Sequence, residues 1–146
     1  MISRKDIDSI VPNHIIPSMS ISLVKNFGKG DSVIDVGTGG GIFSYDFAKV
    51  KSNFLMLGLP GLPMAILHPE ASFTLLDSNR KKMKIVSEIA SPTVLNLPNV
   101  RVVVSRAELH LEKYDYLLGR AVAAIPTFLG FSSHLIKTAH SPDGSC

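Results

Sequence analysis

Three glycines at alternate positions follow a short apolar run that carries a single acid. Gly37, Gly39 and Gly41 come directly after the run SVIDV, in which Asp35 is the only charged residue. Glycine lets the backbone turn tightly and lets a ligand approach main-chain N–H groups with no Cβ in the way. If a helix follows, its N-terminal amides point to the same place. The pattern therefore indicates a loop that binds a ligand through its main chain, beside one carboxylate.

The chemistry of this loop favours S-adenosylmethionine (SAM) over a dinucleotide. A dinucleotide fingerprint places glycine at position 42, where this chain has Ile42. An NAD-linked dehydrogenase is therefore the least favoured interpretation. SAM presents a carboxylate and an ammonium, so its site needs both donors and an acceptor, and Asp35 can serve the ammonium directly or through water. A plain glycine-rich turn remains the alternative.

A second acid ends the next apolar run of the chain. Asp77 closes the run FTLLD, and an acid at the tip of the second strand can accept hydrogen bonds from the ribose of an adenosyl ligand. That acid usually lies about 20 residues after the glycine loop, whereas Asp77 lies 42 residues after Asp35. A second role for Asp77, compatible with the first, is to cap the helix that begins near Asn79.

A stretch of 17 residues explains the long spacing. Without residues 42–58 the distance from Asp35 to Asp77 falls to 25 residues, and Gly41 is followed directly by LPGLPMAIL. We therefore interpret residues 42–58 as an insertion. The remaining sequence then predicts a loop, one short helix and the second strand.

Alternating strand and helix patterns surround these motifs. Four apolar runs, typical of strands buried on both faces of a parallel sheet, occupy residues 32–36, 73–77, 100–104 and 114–118. Helical spacing of apolar residues is found over residues 14–27, 80–90 and 127–139. The alternation predicts an α/β, Rossmann-like fold with right-handed crossovers. Because a turn sequence follows residue 140 where another strand is due, we expect a parallel sheet truncated at its C-terminal strands. We divide the chain into a helical lead-in, residues 1–30, and one domain, residues 31–146.

Composition limits the class of protein. The chain has 146 residues, 45% of them apolar and 18% charged, with a formal net charge of +3. This composition is that of one folded domain rather than a disordered chain. The only cysteine, Cys146, excludes an internal disulfide and a cysteine-based zinc site and suggests a reducing compartment. The most apolar run, residues 54–67, is too short to span a membrane, and the N-terminus lacks the features of a secretory signal.

Several further motifs match one family. GTGGG, then LPGLPMAILHPEASFTLLDS followed by Lys81 and Lys82, then SRAE and YDYLLGRAVA, is similar to the RsmG (GidB) family over residues 33–144, apart from the 17-residue stretch. The resemblance implies a SAM-dependent methyltransferase that methylates N7 of a guanine in small-subunit ribosomal RNA. Because methylation at N7 needs alignment rather than a metal or a base, we expect no metal; we also expect no membrane partner and a monomer. The compartment would be the cytoplasm or, alternatively, an organelle with its own ribosomes.

The resemblance also implies roles for individual residues. Arg120 would lie beside the transferable methyl group, in both the catalytic and the cofactor-binding set. His14 and Ser18 are similar to a His-Ile-Leu-Asp-Ser stretch of the family, but Pro17 stands where the family has an acid. The other implied cofactor-binding residues are Asp35, Gly37, Thr38, Gly39 and Gly41 at the methionine end, Leu59 and Pro60 of the LPG motif, Asp77 and Ser78 at the ribose, and Ala107 and Glu108 at the adenine.

Alternatives remain open for several of these assignments. Arg120 can be a surface cation, Glu108 a solvated acid at a helix start, and His14 a packing residue. The basic group of Arg80, Lys81, Lys82 and Lys84 can contact RNA phosphates or form a solvated helix face. For the whole chain, the alternatives are a non-catalytic isoform or fragment of such an enzyme and a small-molecule methyltransferase on the same scaffold.

Overall fold

One parallel sheet organises the part of the chain that the computed structural model describes, residues 11–39 and 58–138. Its strands are β1 Ser32–Val36, β2 Ser72–Asp77, β3 Val100–Val104 and β4 Tyr116–Leu118, in the order β3-β2-β1-β4. The α/β, Rossmann-like prediction is confirmed. The predicted strands agree within two residues at each end, and the largest difference is that β4 begins at Tyr116 rather than at Tyr114.

Helices connect these strands. The lead-in is helical from Val11 to Leu23, as a π-helical turn Val11–Ile15, a short helix α1 Ile16–Met19 and a 3-10 turn Ser20–Leu23. It starts earlier and ends earlier than the predicted residues 14–27. The later elements are α2 Gly61–Leu67, α3 Arg80–Ala90, a 3-10 turn Ala107–Leu109, α4 Ile125–Ser132 and a 3-10 turn Ser133–Leu135.

The two faces of the sheet carry separate apolar clusters, because side chains alternate along each strand. On the first face, Val33 and Phe73 pack with Phe27 of the lead-in and with α2, while Leu75 packs under α3. On the second face, Ile34 and Leu76 pack with the 3-10 turns and α4. Asp35 occupies the first face, between apolar neighbours, so its carboxylate is held against the start of α2.

The predicted helix over residues 127–139 is wrong at its C-terminal end. Helix α4 ends at Ser132, and Ile136 forms a parallel bridge with Tyr114. The main chain of Tyr114 donates to the carbonyl of Leu135 at 2.7 Å and accepts from Lys137 N–H at 2.9 Å. Sheet pairing therefore overrides the helical spacing of the last apolar residues. A strand-like pairing beyond β4 begins within the described residues.

The order of the strands creates a switch point beside β1. The chain runs from β1 to β2 and β3 on one side, then returns to place β4 on the other side of β1. In open parallel sheets the crevice outside the carboxyl ends at such a point is the usual ligand site. The glycine loop leaves β1 there. Within the described residues, no helix is long and apolar enough to cross a membrane.

Candidate functional site

The glycine loop turns sharply as it leaves β1. Gly37 has a φ of +75°, a conformation that favours glycine. A Cβ at this position would lie 2.6 Å from Cγ2 of Val122, which follows β4. The amides of Gly37 and Thr38 donate to the carbonyl of Leu76 at 2.8 and 3.3 Å. The loop is thus fixed on the end of β2 and covered by the residues that follow β4.

Asp35 is a buried carboxylate at the end of β1, with only 1% of its surface exposed. Its Oδ2 accepts a hydrogen bond from the amide of Gly61 at 2.9 Å. Burial raises the pKa of Asp35 to about 6, because desolvation disfavours the charged form. The Thr38 hydroxyl and the Gly61 amide lower this pKa, and the negative charge of Asp77 adds to the increase.

One oxygen of this carboxylate and a neighbouring hydroxyl lack a hydrogen-bond partner. Asp35 Oδ1 and Thr38 Oγ1 are both buried and unsatisfied. The Thr38 hydroxyl lies close enough to lower the Asp35 pKa but does not reach hydrogen-bond geometry with that oxygen. Buried unsatisfied groups are rare and mark sites that require explanation. An ammonium or a bridging water would satisfy both atoms, so this pair fits the methionine end of SAM.

Gly61 is a site residue that the sequence reasoning missed. A Cβ on Gly61 would lie 2.1 Å from Cδ2 of Leu75 and 2.9 Å from Asp35 Oδ2. Glycine is therefore required for α2 to approach the sheet closely enough to reach Asp35. The signal was present in the sequence, since Gly61 follows Leu59 and Pro60 directly. Both of these residues are buried beside it, and the Leu59–Pro60 peptide bond is cis.

Asp77 joins the glycine loop to the start of α3. Its Oδ2 accepts from the amide of Gly39 at 3.1 Å, and its Oδ1 accepts from the amide of Asn79 at 2.7 Å. Asn79 itself caps α3, because its side chain accepts from Lys82 N–H at 3.1 Å. The prediction that Asp77 is the helix cap is therefore wrong, although Asp77 orients the cap.

In the described part of the glycine loop, the main-chain N–H groups point to the protein itself rather than to an open ligand site. The amides of Gly37, Thr38 and Gly39 all donate to β2 or to Asp77. The expectation that these amides are free for a ligand is not met. Two of them bond to the carbonyl of Leu76, and the third bonds to the carboxylate of Asp77, the residue assigned to the ribose. Of the loop glycines, Gly41 lies outside the described residues, as do residues 42–57 of the proposed insertion.

The residues predicted at the adenine lie at the carboxyl end of β3. Ala107 is buried in the cluster on the second face of the sheet, and Glu108 is exposed in the 3-10 turn. The amide of Ser105 donates to the carbonyl of Asp77 at 3.1 Å. This bond brings the segment after β3 next to the predicted ribose residue. Ser78 is exposed at the same edge.

Arg120 follows β4 and contacts the lead-in. Its guanidinium donates to the carbonyls of Asn13 and His14 at 3.3 and 3.1 Å, to Ser18 Oγ at 3.3 Å and to His14 Nδ1 at 3.0 Å. The alternative of a solvated surface cation is therefore wrong. Sequence reasoning noted His14 and Ser18 but did not connect them to Arg120, which lies more than 100 residues away.

One lysine of the basic group contacts the glycine loop. Lys82 Nζ donates to the carbonyl of Gly39 at 2.7 Å, so Lys82 is not part of the solvated helix face that is one alternative for the basic group. The side chains of Arg80, Lys81 and Lys84 are exposed on α3. Across residues 11–39 and 58–138, no group of three or more His, Cys, Asp or Glu side chains is placed to hold a metal ion.

Comparison with curated proteins identifies one family. The family described as GidB, rRNA small subunit methyltransferase G, matches residues 57–141. The ribosomal RNA small subunit methyltransferase G of Christiangramia forsetii is 40% identical over 129 residues, which cover 88% of this chain and 52% of that protein. The same-named protein of Flavobacterium johnsoniae is 39% identical over 140 residues, covering 96% and 58%. The chain spans about half the length of these curated relatives.

Solved structures agree on the fold. Coclaurine N-methyltransferase bound to N-methylheliamine and SAH matches 84% of this chain and 32% of its own, with a TM-score of 0.60 and 19% identity. A SAM-dependent methyltransferase from Aquifex aeolicus matches 92% of this chain and 64% of its own, with a TM-score of 0.54 and 17% identity. The fold is thus that of SAM-dependent methyltransferases, and the family match over more than half of the residues shows that this chain belongs to the GidB family, rRNA small subunit methyltransferase G.

Proposed function

We propose that this chain binds SAM at the carboxyl end of β1 and transfers its methyl group to N7 of a guanine in small-subunit ribosomal RNA. The observation that carries the proposal is the unsatisfied pair Asp35 Oδ1 and Thr38 Oγ1, buried beside a glycine loop at the switch point of the sheet. The relatives named ribosomal RNA small subunit methyltransferase G support the substrate class. The compartment would be one that contains ribosomes, the cytoplasm or an organelle.

The proposed cofactor site uses residues from the carboxyl ends of all four strands. Asp35 of β1 and Thr38 just after it would take the ammonium, and the buried Leu59 and Pro60 would line the same end of the site. Asp77, the last residue of β2, would take the ribose. An ionised carboxylate has about four acceptor positions, and Asp77 uses two of them for the Gly39 and Asn79 amides. Two positions remain, which is the number that two ribose hydroxyls require. The remaining proposed contacts are Gly37, Gly39, Gly41, Ser78, Ala107, Glu108 and Arg120.

The proposed reaction needs no general base from the protein. Bound SAM supplies an electrophilic methyl group on a sulfonium. Guanine N7 has an exposed lone pair and no proton, so the N7–C bond can form as the S–C bond breaks, with no proton to remove. Alignment of the two reactants then provides most of the acceleration. Arg120 has one donor left for this site, because four of its five N–H groups are directed to the lead-in.

The experiment for this function is methyl transfer from labelled SAM. Undermethylated small ribosomal subunits are compared with fully methylated subunits and with a panel of small metabolites. The proposal expects label in the undermethylated subunits, on guanine N7, and in neither comparison sample. Label in a metabolite alone would assign the chain to a small-molecule methyltransferase. The absence of transfer to any acceptor by a chain that binds SAM would favour a non-catalytic isoform.

Replacing Asp77 with asparagine should weaken SAM binding by about 10- to 100-fold, the size expected when hydrogen bonds to a charged acceptor are lost. The amide nitrogen of Asn cannot accept from a hydroxyl or from the Gly39 amide. Calorimetric titration with SAM and with methionine separates the two parts of the site. Methionine has no ribose, so its affinity should differ less between Asp77→Asn and the unchanged chain. An equal loss of affinity for both ligands would contradict a ribose role of Asp77.

We also propose that residues 42–58 interrupt the cofactor loop of the family as an insertion. The carbonyl of Thr38 accepts from the amide of Gly58 at 2.8 Å. The chain therefore leaves the loop and returns to it at neighbouring points. A segment between such closely spaced ends can be lengthened at little entropic cost. Gly58, the last residue of the proposed insertion, lies in the turn that leads into α2.

A further inference from the structure

The segment that follows β4 contacts two parts of the molecule at once. Arg120 donates four hydrogen bonds to residues 13–18 of the lead-in. Two residues later, the side chain of Val122 lies against Gly37 of the glycine loop, where an added Cβ would be 2.6 Å from Val122 Cγ2. Residues 120–122 are therefore a short connection between the lead-in and the loop proposed to bind SAM.

The contact of Arg120 with His14 has a defined direction. A guanidinium has no lone pair to offer, so His14 Nδ1 must be the acceptor. The ring proton of neutral His14 is therefore on Nε2. The other three acceptors are the carbonyls of Asn13 and His14 and the hydroxyl of Ser18, which donates in turn to the His14 carbonyl at 2.7 Å. Ser18 is buried, His14 and Arg120 are half-buried and Asn13 is exposed, so the arrangement is shielded from water on the Ser18 side.

The backbone of the connection is strained. Ala121 has a φ of +53°, in the left-handed region that is unfavourable for a residue other than glycine. Such a conformation persists where the surroundings fix it. Here Arg120 is held on one side by the lead-in, and Val122 is packed on the other side against the glycine loop. The strain indicates that both contacts are maintained together.

The lead-in is also attached independently of Arg120. Ser22 Oγ lies 3.0 Å from His68 Nε2, and Phe27 packs edge-on against the rings of His68, Phe73 and Tyr116. These contacts hold the C-terminal part of the lead-in on the first face of the sheet. Loss of the Arg120 contact should therefore loosen residues 11–19 without unfolding the domain.

We propose that His14 and Ser18 are positioning residues for the cofactor loop. They hold Arg120, and through residues 120–122 they keep Val122 against Gly37, so that the glycine loop has the shape that SAM requires. The inference rests on the proposed SAM site but assigns it residues in a different element. Neither side chain needs to touch the cofactor. Docking of the lead-in and binding of SAM should each strengthen the other, because energetic coupling is reciprocal.

The test compares three variants of the full chain. The double variant His14→Ala/Ser18→Ala removes two side-chain acceptors. His14→Asn keeps an acceptor near the place of Nδ1. Asn13→Ala is the matched control, because the exposed Asn13 contributes its main-chain carbonyl only. Hydrogen–deuterium exchange is followed in residues 11–19 and in residues 37–39, and SAM affinity is measured by calorimetry.

We expect the double variant to exchange faster in both regions and to bind SAM about 2- to 30-fold more weakly, a common size for coupling between sites. His14→Asn and Asn13→Ala should match the unchanged chain within about twofold. Faster exchange in residues 11–19 with unchanged exchange in residues 37–39 and unchanged SAM affinity would overturn the coupling while leaving the proposed function intact. If the unchanged chain binds no SAM, the proposed function fails, and exchange in residues 37–39 alone decides the coupling.

Discussion

Replacing Asp35 with asparagine should make the cofactor-free protein more stable at pH 8 by up to about 3 kcal/mol and at the same time weaken SAM binding by about 10- to 100-fold. The two effects have opposite signs because the buried charge is costly for folding and useful for binding an ammonium. Stability gained by removing a site charge, at the expense of function, is a common trade-off.

The stability change follows from the raised pKa of Asp35. Burial raises this pKa from 3.8 to about 6, and each unit corresponds to about 1.4 kcal/mol. Because the folded state binds the proton more tightly than the unfolded state, the contribution of Asp35 to stability is highest below pH 4. It falls as the pH rises through 6. Asparagine avoids that loss. Its oxygen can accept from the Gly61 amide, and its nitrogen can donate to the unsatisfied Thr38 Oγ1.

Denaturant unfolding at several pH values measures this effect. The unchanged chain should lose stability between pH 4 and pH 7 relative to Asp35→Asn, and its SAM affinity should rise about tenfold from pH 5 to pH 7 as Asp35 ionises. The matched control is Asp115→Asn. Ser32 and Lys137 lower the pKa of Asp115 to about 2, so its removal should reduce stability at pH 8, by less than about 1 kcal/mol. If Asp35→Asn is less stable than the unchanged chain at pH 8, the negative charge of Asp35 is stabilised in the folded protein, and the prediction is contradicted.

Replacing Gly61 with alanine should destabilise the protein by about 1–3 kcal/mol, the usual cost of an added methyl group in a packed interior. The new Cβ would lie 2.1 Å from a methyl carbon of Leu75 and 2.9 Å from Asp35 Oδ2. Helix α2 must therefore move away from the sheet, which removes the amide donor from Asp35. SAM binding should fall by more than the stability change explains, because the carboxylate loses its orientation.

Gly130→Ala provides the comparison for this variant. Gly130 lies inside α4, and apart from the neighbouring backbone of the helix itself no atom is within 4 Å of the Cβ that alanine would add. Alanine is favoured over glycine inside a helix by about 0.5–1 kcal/mol, so Gly130→Ala should be slightly stabilising and should leave SAM affinity unchanged. Thermal unfolding and SAM titration of both variants test the argument. Equal effects of the two substitutions would contradict a specific role of Gly61.

The sequence predicts the regular elements well where local preference and packing agree. Strands β1 and β3 and helix α3 have the predicted bounds. The strands are continuous β-branched apolar runs, and α3 combines a capping Asn79 with apolar residues at helical spacing. The prediction fails at Ile136, whose apolar side chain suits a helix or a strand equally. Its pairing with Tyr114 is a tertiary effect that no local pattern contains.

The candidate site likewise combines residues that local motifs predict with contacts between distant parts of the chain. The positions of Asp35, Gly37 and Asp77 follow from motifs at strand ends, since parallel strands bring their carboxyl ends to one edge. The contacts of Arg120 with His14, of Lys82 with Gly39 and of Gly61 with Asp35 join distant parts of the chain. They depend on how helices pack on the sheet, and spacing along the sequence does not predict them.

Calorimetric titration of the full chain with SAM at pH 7.5, with circular dichroism to establish that the chain is folded, tests the SAM site most directly. We expect saturable binding of one SAM per chain, a rise in the thermal unfolding midpoint with SAM concentration, and, for Asp35→Asn, an affinity weaker by about 10- to 100-fold with a smaller rise at the same SAM concentration. A folded chain that gives no heat and no thermal shift with SAM would contradict it.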